Sequence, residues 1–189
     1  MSRAWCVCGA VGNFGFKQRS SPQLNSPHGV ALADGKLFVA DCFNHRVCAF
    51  DTSLKFLFSF GTEGKAPGEL RYPRGIANLG AGELVVASQG NHRLEVFNVQ
   101  GEYVRSIGSG RGNAPGEFKE PVELTVAHGR LYVCEGEGRR FQVLTPDGAS
   151  LHVLPLPTGA QLFGLCADAH RVYAADTAEN KVHVLAVRG

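Results

Sequence analysis

Residues 60–106 read FGTEGKAPGELRYPRGIANLGAGELVVASQGNHRLEVFNVQGEYVRS, and residues 107–126, IGSGRGNAPGEFKEPVELTV, begin the same pattern again. Proline landmarks set the period: Pro27 to Pro73 is 46 residues and Pro73 to Pro121 is 48. Within one copy the apolar run Gly75–Leu79 is entered from a proline, and Glu83–Ala87 is a β-branched run after a glycine turn. Arg93–Phe97 alternates with period two, and Glu102–Ile107 follows the turn Gln100-Gly101. Four short strands, termed a, b, c and d, recurring at a period in the forties are the pattern of a propeller blade. No long window shows helical periodicity, and the glycines would break a helix if one did.

Working outward, blade one (residues 27–72) has strands at Gly29–Leu32, Lys36–Ala40, Arg46–Phe50 and Phe56–Phe60. Blade two occupies residues 73–120. Blade three occupies 121–161, with RLYVC and RFQVL as its b and c strands, and blade four occupies 162–189, with b at Arg171–Ala175, c at Lys181–Ala186 and no d strand. Residues 1–26 hold a lone d-like strand at 3–11 and a degenerate connection ending QLNSP. The expected fold is therefore all-β, one propeller domain over residues 1–189 with about four four-stranded blades. Two arrangements fit: the N-terminal strand completes the fourth blade and seals a ring, or the chain is an arc of a larger propeller.

The chain of 189 residues is long enough for one domain with a real core. A net charge of +2 is too near balance to imply nucleic acid, and it gives no reason to expect DNA as a partner. The opening MSRAWCVCGAVG has a short apolar run without a convincing cleavage site and reads as strand, and no stretch approaches membrane-spanning length. The six cysteines, Cys6, Cys8, Cys42, Cys48, Cys134 and Cys166, form no C-x-x-C pair and match no zinc-site spacing. Cys134 takes the strand position of Ala40, Ala87 and Ala175, and Cys166 that of Ala31 and Ala77. Small buried thiols in a reducing compartment, the cytoplasm, are the expectation.

The order G-x-G-x-x-P-G-E-[LF]-x-x-P followed by V-A-[DS]-x-x-N-H-R resembles the NHL-repeat family. Blade one carries it most fully, in Asp41, Asn44, His45 and Arg46, and blade two keeps Asn91, His92 and Arg93 with Ser88 in the Asp position. Blade three has Glu135, Gly138 and Arg140, and blade four has Asp176, Glu179 and Lys181. The resemblance implies a β-propeller, six-bladed in most of the family, acting as a recognition platform for protein or, in some members, RNA. In some members a ubiquitin-ligase RING lies upstream. This chain shows no such element, so it is not expected to transfer ubiquitin by that route, which leaves open a place as the substrate-choosing part of something longer.

The acid at the end of strand b and the base at the start of strand c flank a tight loop, and antiparallel pairing lets them meet. Asp41 with Arg46, Glu135 with Arg140 and Asp176 with Lys181 are therefore expected to be loop staples, each contributing no more than about 1 kcal/mol where exposed. Asn44 and Asn91 are expected to cap the turn's backbone amides. Antiparallel alternation sends the b–c and d–a loops to one side and the tight a–b and c–d turns to the other, and the side with long loops is the candidate working face.

On that face Lys17, Arg19, Arg46, Lys65, Arg71, Arg74 and Arg93 stand toward blades one and two against Asp41, Glu63 and Glu69, a balance of +4. Toward blades three and four the balance is −2. The candidate binding residues are Arg46, Arg93, Arg74, Arg71, His45, His92, His28 and Arg140, with Phe43 and Tyr72 nearby. A docked protein or peptide is the leading expectation, and single-stranded RNA held by phosphate contacts and stacking the alternative. Self-association is a further option if the ring is open. No cofactor is called for. Related propellers include metal-dependent lactonases and a lyase, whose chemistry would need side chains converging on the channel lined by strand a. His28, Asn78 and Glu123 are the candidates there. Glu123, which replaces the glycine of Gly29, Gly75 and Gly164, is a weak metal candidate because one carboxylate is not a metal site.

Overall fold

The computed structural model describes residues 23–156 and 160–186. The chain is all-β and builds a four-bladed, β-propeller-like array. Blade one comprises β1 (Pro27–Ala33), β2 (Lys36–Asp41), β3 (Arg46–Asp51) and β4 (Phe56–Phe60). Blade two comprises β5 (Pro73–Gly80), β6 (Glu83–Ser88), β7 (Arg93–Asn98) and β8 (Tyr103–Ile107). Blade three comprises β9 (Pro121–Ala127), β10 (Arg130–Glu135), β11 (Arg140–Leu144) and β12 (Ser150–Pro155), and blade four β13 (Leu162–Ala167), β14 (Arg171–Asp176) and β15 (Lys181–Ala186). Every blade is an antiparallel meander, and blade four has three strands among the described residues. The strand read at residues 3–11, like Lys17 and Arg19, lies outside the described residues.

Local chemistry explains the meander. Asp34-Gly35 and His128-Gly129 take positive φ at both positions (47° and 66°, 52° and 65°), the hairpin geometry whose twist matches that of the flanking strands. Alternation then gives each blade two apolar faces. Across β2 and β3, Phe38, Ala40, Val47 and Ala49 face forward onto Leu84, Val86 and Phe97 of blade two. Val85, Ala87, Leu94 and Val96 of blade two face forward onto Leu124, Leu131 and Val133 of blade three. Cys134 and Phe141 of blade three do the same toward Leu162 and Ala174 of blade four.

The a strands pack side by side in the order β1, β5, β9, β13. Their approach is too close for a side chain at two points: a Cβ on Gly29 would stand 2.5 Å from the Arg74 carbonyl oxygen, and one on Gly75 would stand 2.9 Å from the Leu124 nitrogen. Glu123 occupies the corresponding forward-facing position in β9, paired across the sheet with Cys134.

Candidate binding face

The b–c and d–a loops do share one side, and backbone hydrogen bonds join them there. Phe43 N–H donates to Asn25 O (3.0 Å), Gly90 N–H to Arg71 O (2.9 Å), Gly136 N–H to Glu120 O (2.8 Å) and Thr177 N–H to Gln161 O (2.9 Å). The last residue of strand b ties the two loops together in all four blades by accepting a hydrogen bond from a d–a loop amide. Asn25 N–H reaches Asp41 Oδ1 at 2.6 Å, Arg71 N–H reaches Ser88 Oγ at 3.0 Å, Lys119 N–H reaches Glu135 Oε2 at 2.6 Å and Gln161 N–H reaches Asp176 Oδ1 at 3.0 Å.

The arginine that opens strand c completes the tie. Arg46 Nε donates to Asp41 Oδ2 at 2.8 Å and its Nη2 to Gln23 O at 2.7 Å. Arg140 Nε donates to Glu135 Oε1 at 2.6 Å and its Nη2 to Glu117 O at 2.7 Å. Arg93, with no acid at Ser88, pairs instead with Glu95 and sends Nη2 to Ala66 O at 2.6 Å. Each guanidinium thus clamps the d–a loop that leads into its own blade. These are not exposed surface pairs: the Asp41 and Arg46 side chains are 0% and 1% exposed. Breaking a buried pair from one side costs about 3–5 kcal/mol, well above the value expected for a solvent-exposed staple.

Three local expectations are corrected. Lys181 does not meet Asp176: it pairs with Glu179 at 2.8 Å, and Asp176 Oδ2 takes His183 Nε2 at 2.9 Å. The hydrogen bond from His183 holds the Asp176 carboxyl at about 2, below its ordinary range. The signature asparagines donate from their side-chain amides, Asn44 Nδ2 to Asp41 Oδ2 at 2.9 Å and Asn91 Nδ2 to Gly64 O at 2.9 Å, and the buried Asn91 Oδ1 accepts no hydrogen bond, so Asn91 does not cap an amide. Cys42, Cys48 and Cys134 are buried as expected, but Cys166 is exposed, because among the described residues no blade packs on the forward face of blade four.

The signature histidines are latches between blades. His45 and His92 sit at positive φ (54° and 55°), which turns their rings toward the next blade. There His45 Nδ1 accepts from Tyr72 N–H at 3.0 Å and His92 Nδ1 from Glu120 N–H at 3.3 Å. The residues that donate, Tyr72 and Glu120, are themselves at positive φ (49° and 53°) immediately before the strand-a proline.

With Arg46, Arg140 and His45 buried in this way, and Arg93 and His92 half-buried, a different set remains open on the face. Phe43 is 54% exposed and Tyr72 39%, with ring centroids 6.1 Å apart in an edge-to-face pair. Arg71 is half-buried beside them, and Lys65 is exposed on the same d–a loop. Nearer the axis, half-buried Arg74 donates Nε to Gln89, whose Nε2 reaches Glu120 Oε2 at 3.1 Å. Exposed His28 lies within the field of Arg74, and its pKa is lowered first by burial and then by that charge. Burial raises the carboxyl pKa of Glu123 while Arg74 opposes the rise. Glu123 thus lies within the field of a cation, and among the described residues no group of three His, Cys, Asp or Glu gathers to hold a metal. Arg74, Gln89, Glu120 and Phe163 line a cleft of about 400 Å³ at the mouth of the channel.

The residues that sequence reasoning missed are Glu95, Gln142 and His183. Each is the third residue of strand c, each carries a polar group in an otherwise apolar strand, and each is hydrogen-bonded at the end-of-b hub or takes over its role. The signal available was that anomaly of polarity at one repeat position.

The NHL repeat family profile matches residues 24–50. Protein brain tumor of Drosophila melanogaster is 32% identical over 145 residues, 75% of this chain and 13% of that protein. The E3 ubiquitin-protein ligase NHLRC1 of Homo sapiens is 29% identical over 130 residues, 67% of this chain and 31% of the ligase, so the chain spans less than a third of either relative. Among solved structures, virginiamycin B lyase from Staphylococcus aureus superposes with a TM-score of 0.66 at 19% identity, covering 86% of this chain and 52% of the lyase, a likeness of fold alone. Repeat grammar, blade topology and these relatives converge, and the chain belongs to the NHL-repeat β-propellers.

Proposed function

We propose that this chain is a non-catalytic recognition scaffold that docks a protein or peptide segment on the face carrying the b–c and d–a loops. The observation that carries the proposal is the exposed Phe43–Tyr72 pair, held by the His45 latch on a loop framework closed by buried ion pairs. Rigid aromatics with a half-buried arginine beside them are the composition of interface anchors, because they offer large contact area at low entropic cost. Arg71, Arg74 and His28 flank the pair and suit an acidic or carbonyl-rich segment. Of the cations counted in the basic half, Arg46 is paired with buried Asp41 and Arg93 with Glu95, a carboxylate outside that balance, so neither guanidinium is free to take a phosphate. The similarity to an E3 ubiquitin-protein ligase supports a substrate-choosing role within a larger ligase.

The test is selection of displayed random peptides on the folded chain, with a pool of short single-stranded RNAs titrated in parallel at physiological salt. The proposal expects enriched peptides whose binding falls at least about tenfold in Phe43→Ser and Tyr72→Ser. Sequence-preferring RNA binding at physiological salt, with no peptide enriched, would overturn it in favour of RNA recognition.

A further inference from the structure

Each interblade latch is made by a neutral imidazole. His45 Nδ1 accepts the Tyr72 N–H at 3.0 Å and His92 Nδ1 the Glu120 N–H at 3.3 Å, so the ring proton stands on Nε2 in both. A second ring proton would set one N–H donor against another and break the hydrogen bond. At each junction a carboxylate is placed to favour the charged ring. Glu63 Oε1 lies 3.8 Å from His45 Nε2. The Glu137 carboxyl is lowered first by its hydrogen bond from Arg111 and further by the charges of Lys119 and His92. The other charged groups around the rings are Arg71 beside Tyr72, Glu120 bonded to Gln89, and two pairs on the histidines' own loops, Asp41 with Arg46 and Arg93 with Glu95.

The latched residues have a second conformation within reach. Tyr72 and Glu120 stand at positive φ directly before Pro73 and Pro121, where extended backbone is ordinarily favoured. Once the latch is broken, relaxation toward the extended region releases that strain and carries the exposed Tyr72 ring out of place. Arg139 and Asn180, at φ 47° and 52°, hold the histidine's place in blades three and four, and neither side chain titrates near neutrality. The titrating copies are thus confined to the junctions that carry Tyr72 and, through Glu120 and Gln89, Arg74. We propose that His45 and His92 are an acid-operated release, each gaining a proton below neutral pH and letting go of Tyr72 and Glu120, so that mild acid loosens the docking face. The neutral ring makes the bond, so the latch is complete above the range in which histidine titrates and is lost as pH falls through it. The loss of docking rests on the reading that a segment binds through Tyr72, whereas the release of the loops does not.

Amide protection factors of the whole chain at about pH 7.5 and about pH 5.5, either side of the histidine range, test this. Protection at Tyr72 and Glu120 is expected to fall at least about threefold at the lower pH. The neighbouring amides of Arg71 and Lys119, held by Ser88 Oγ and Glu135 Oε2, are expected to keep theirs. The double variant His45→Asn with His92→Asn adopts the residue of blade four, whose side-chain oxygen accepts an amide without titrating, and is expected to lose the pH response. Equal protection of Tyr72 and Glu120 at both pH values would overturn the proposal, as would parallel loss at all four amides or a response that survives in a folded double variant. The comparison of Tyr72 with Arg71 in the parent chain decides the matter even if that variant does not fold. A selected peptide without histidine should bind the parent at least about threefold more weakly at about pH 5.5. Undiminished affinity alongside lost Tyr72 protection would leave the release standing and overturn its tie to docking.

Discussion

Ser88 and Glu95 divide between them the work that Asp41 does alone in the preceding blade. Asp41 accepts both the loop amide of Asn25 and the guanidinium of Arg46. In blade two the Ser88 hydroxyl keeps the amide of Arg71, and the carboxylate moves to Glu95, across the sheet from Val86, where it meets Arg93. Glu95 is fully buried and also accepts from Ser106 Oγ at 2.7 Å. The charge balance of the hub is conserved while its position shifts, so the acid required there belongs to the three-dimensional site rather than to one column of the repeat.

Restoring the aspartate without removing the glutamate should therefore harm the protein. Ser88→Asp places a second carboxylate near a single arginine and is expected to destabilise by about 1–3 kcal/mol. Glu95→Cys alone strands Arg93 and is expected to cost about 3 kcal/mol or more. The double variant rebuilds the blade-one arrangement and should recover at least about 1 kcal/mol relative to the sum, as measured by a urea-unfolding double-mutant cycle. Strict additivity would show that the two positions do not share the hub.

Gly75 faces the backbone of β9 with no room for a methyl group. Gly75→Ala is expected to lower stability by about 1–3 kcal/mol through overpacking, seen as a lower urea midpoint. Gly164→Ala has open space around it but a φ of +82°, so its smaller expected loss comes from backbone conformation and not from contact.

Acid should loosen blade four. The Asp176 carboxyl is held at about 2 by His183, and Asp168 at about 2 by the Tyr173 hydroxyl. Both are depressed in the folded protein, so their stabilisation is complete above the ordinary carboxylate range near about pH 4 and is lost as pH falls through about 2. Amide exchange in β13–β15 is expected to accelerate over that window, and Asp176→Asn should flatten the response. An unchanged slope in the variant would contradict the assignment.

Thiol chemistry separates the cysteines of the described residues. Burial pushes the Cys48 thiol up to about 12 and raises Cys42 and Cys134 as well. Peptide mapping after brief alkylation of the native chain should find Cys166 modified and Cys42, Cys48 and Cys134 intact.

Most of the architecture was legible because the repeat states it several times. Pro27, Pro73 and Pro121 fix the period, and alternation along Arg93–Phe97 fixes which face each residue meets. Strand limits then differ from the structure by one or two residues at their ends, where pairing extends into the loops. The site was less legible. Arg46 reads as surface charge from its neighbours His45 and Asn44, and only the d–a loop folding over it makes it a buried clamp. Tyr72 precedes a proline, a position ordinarily biased toward extended backbone, so its positive φ and exposure follow from the His45 latch of the blade before it. Cys166 aligns with buried Ala31 and half-buried Ala77 and is exposed because burial at that position depends on a following blade.

The central claim is that the arginines and histidines of the signature hold the scaffold while Phe43 and Tyr72 make the contact. Comparing Tyr72→Ser with Arg93→Gln, each assayed for urea unfolding and for affinity toward a selected peptide, tests it most directly. The account predicts that Tyr72→Ser keeps its urea midpoint and loses at least about tenfold in affinity. Arg93→Gln should lose about 3 kcal/mol of stability and, while folded, bind within about twofold of the parent. An Arg93→Gln protein of undiminished stability that no longer binds would contradict the account.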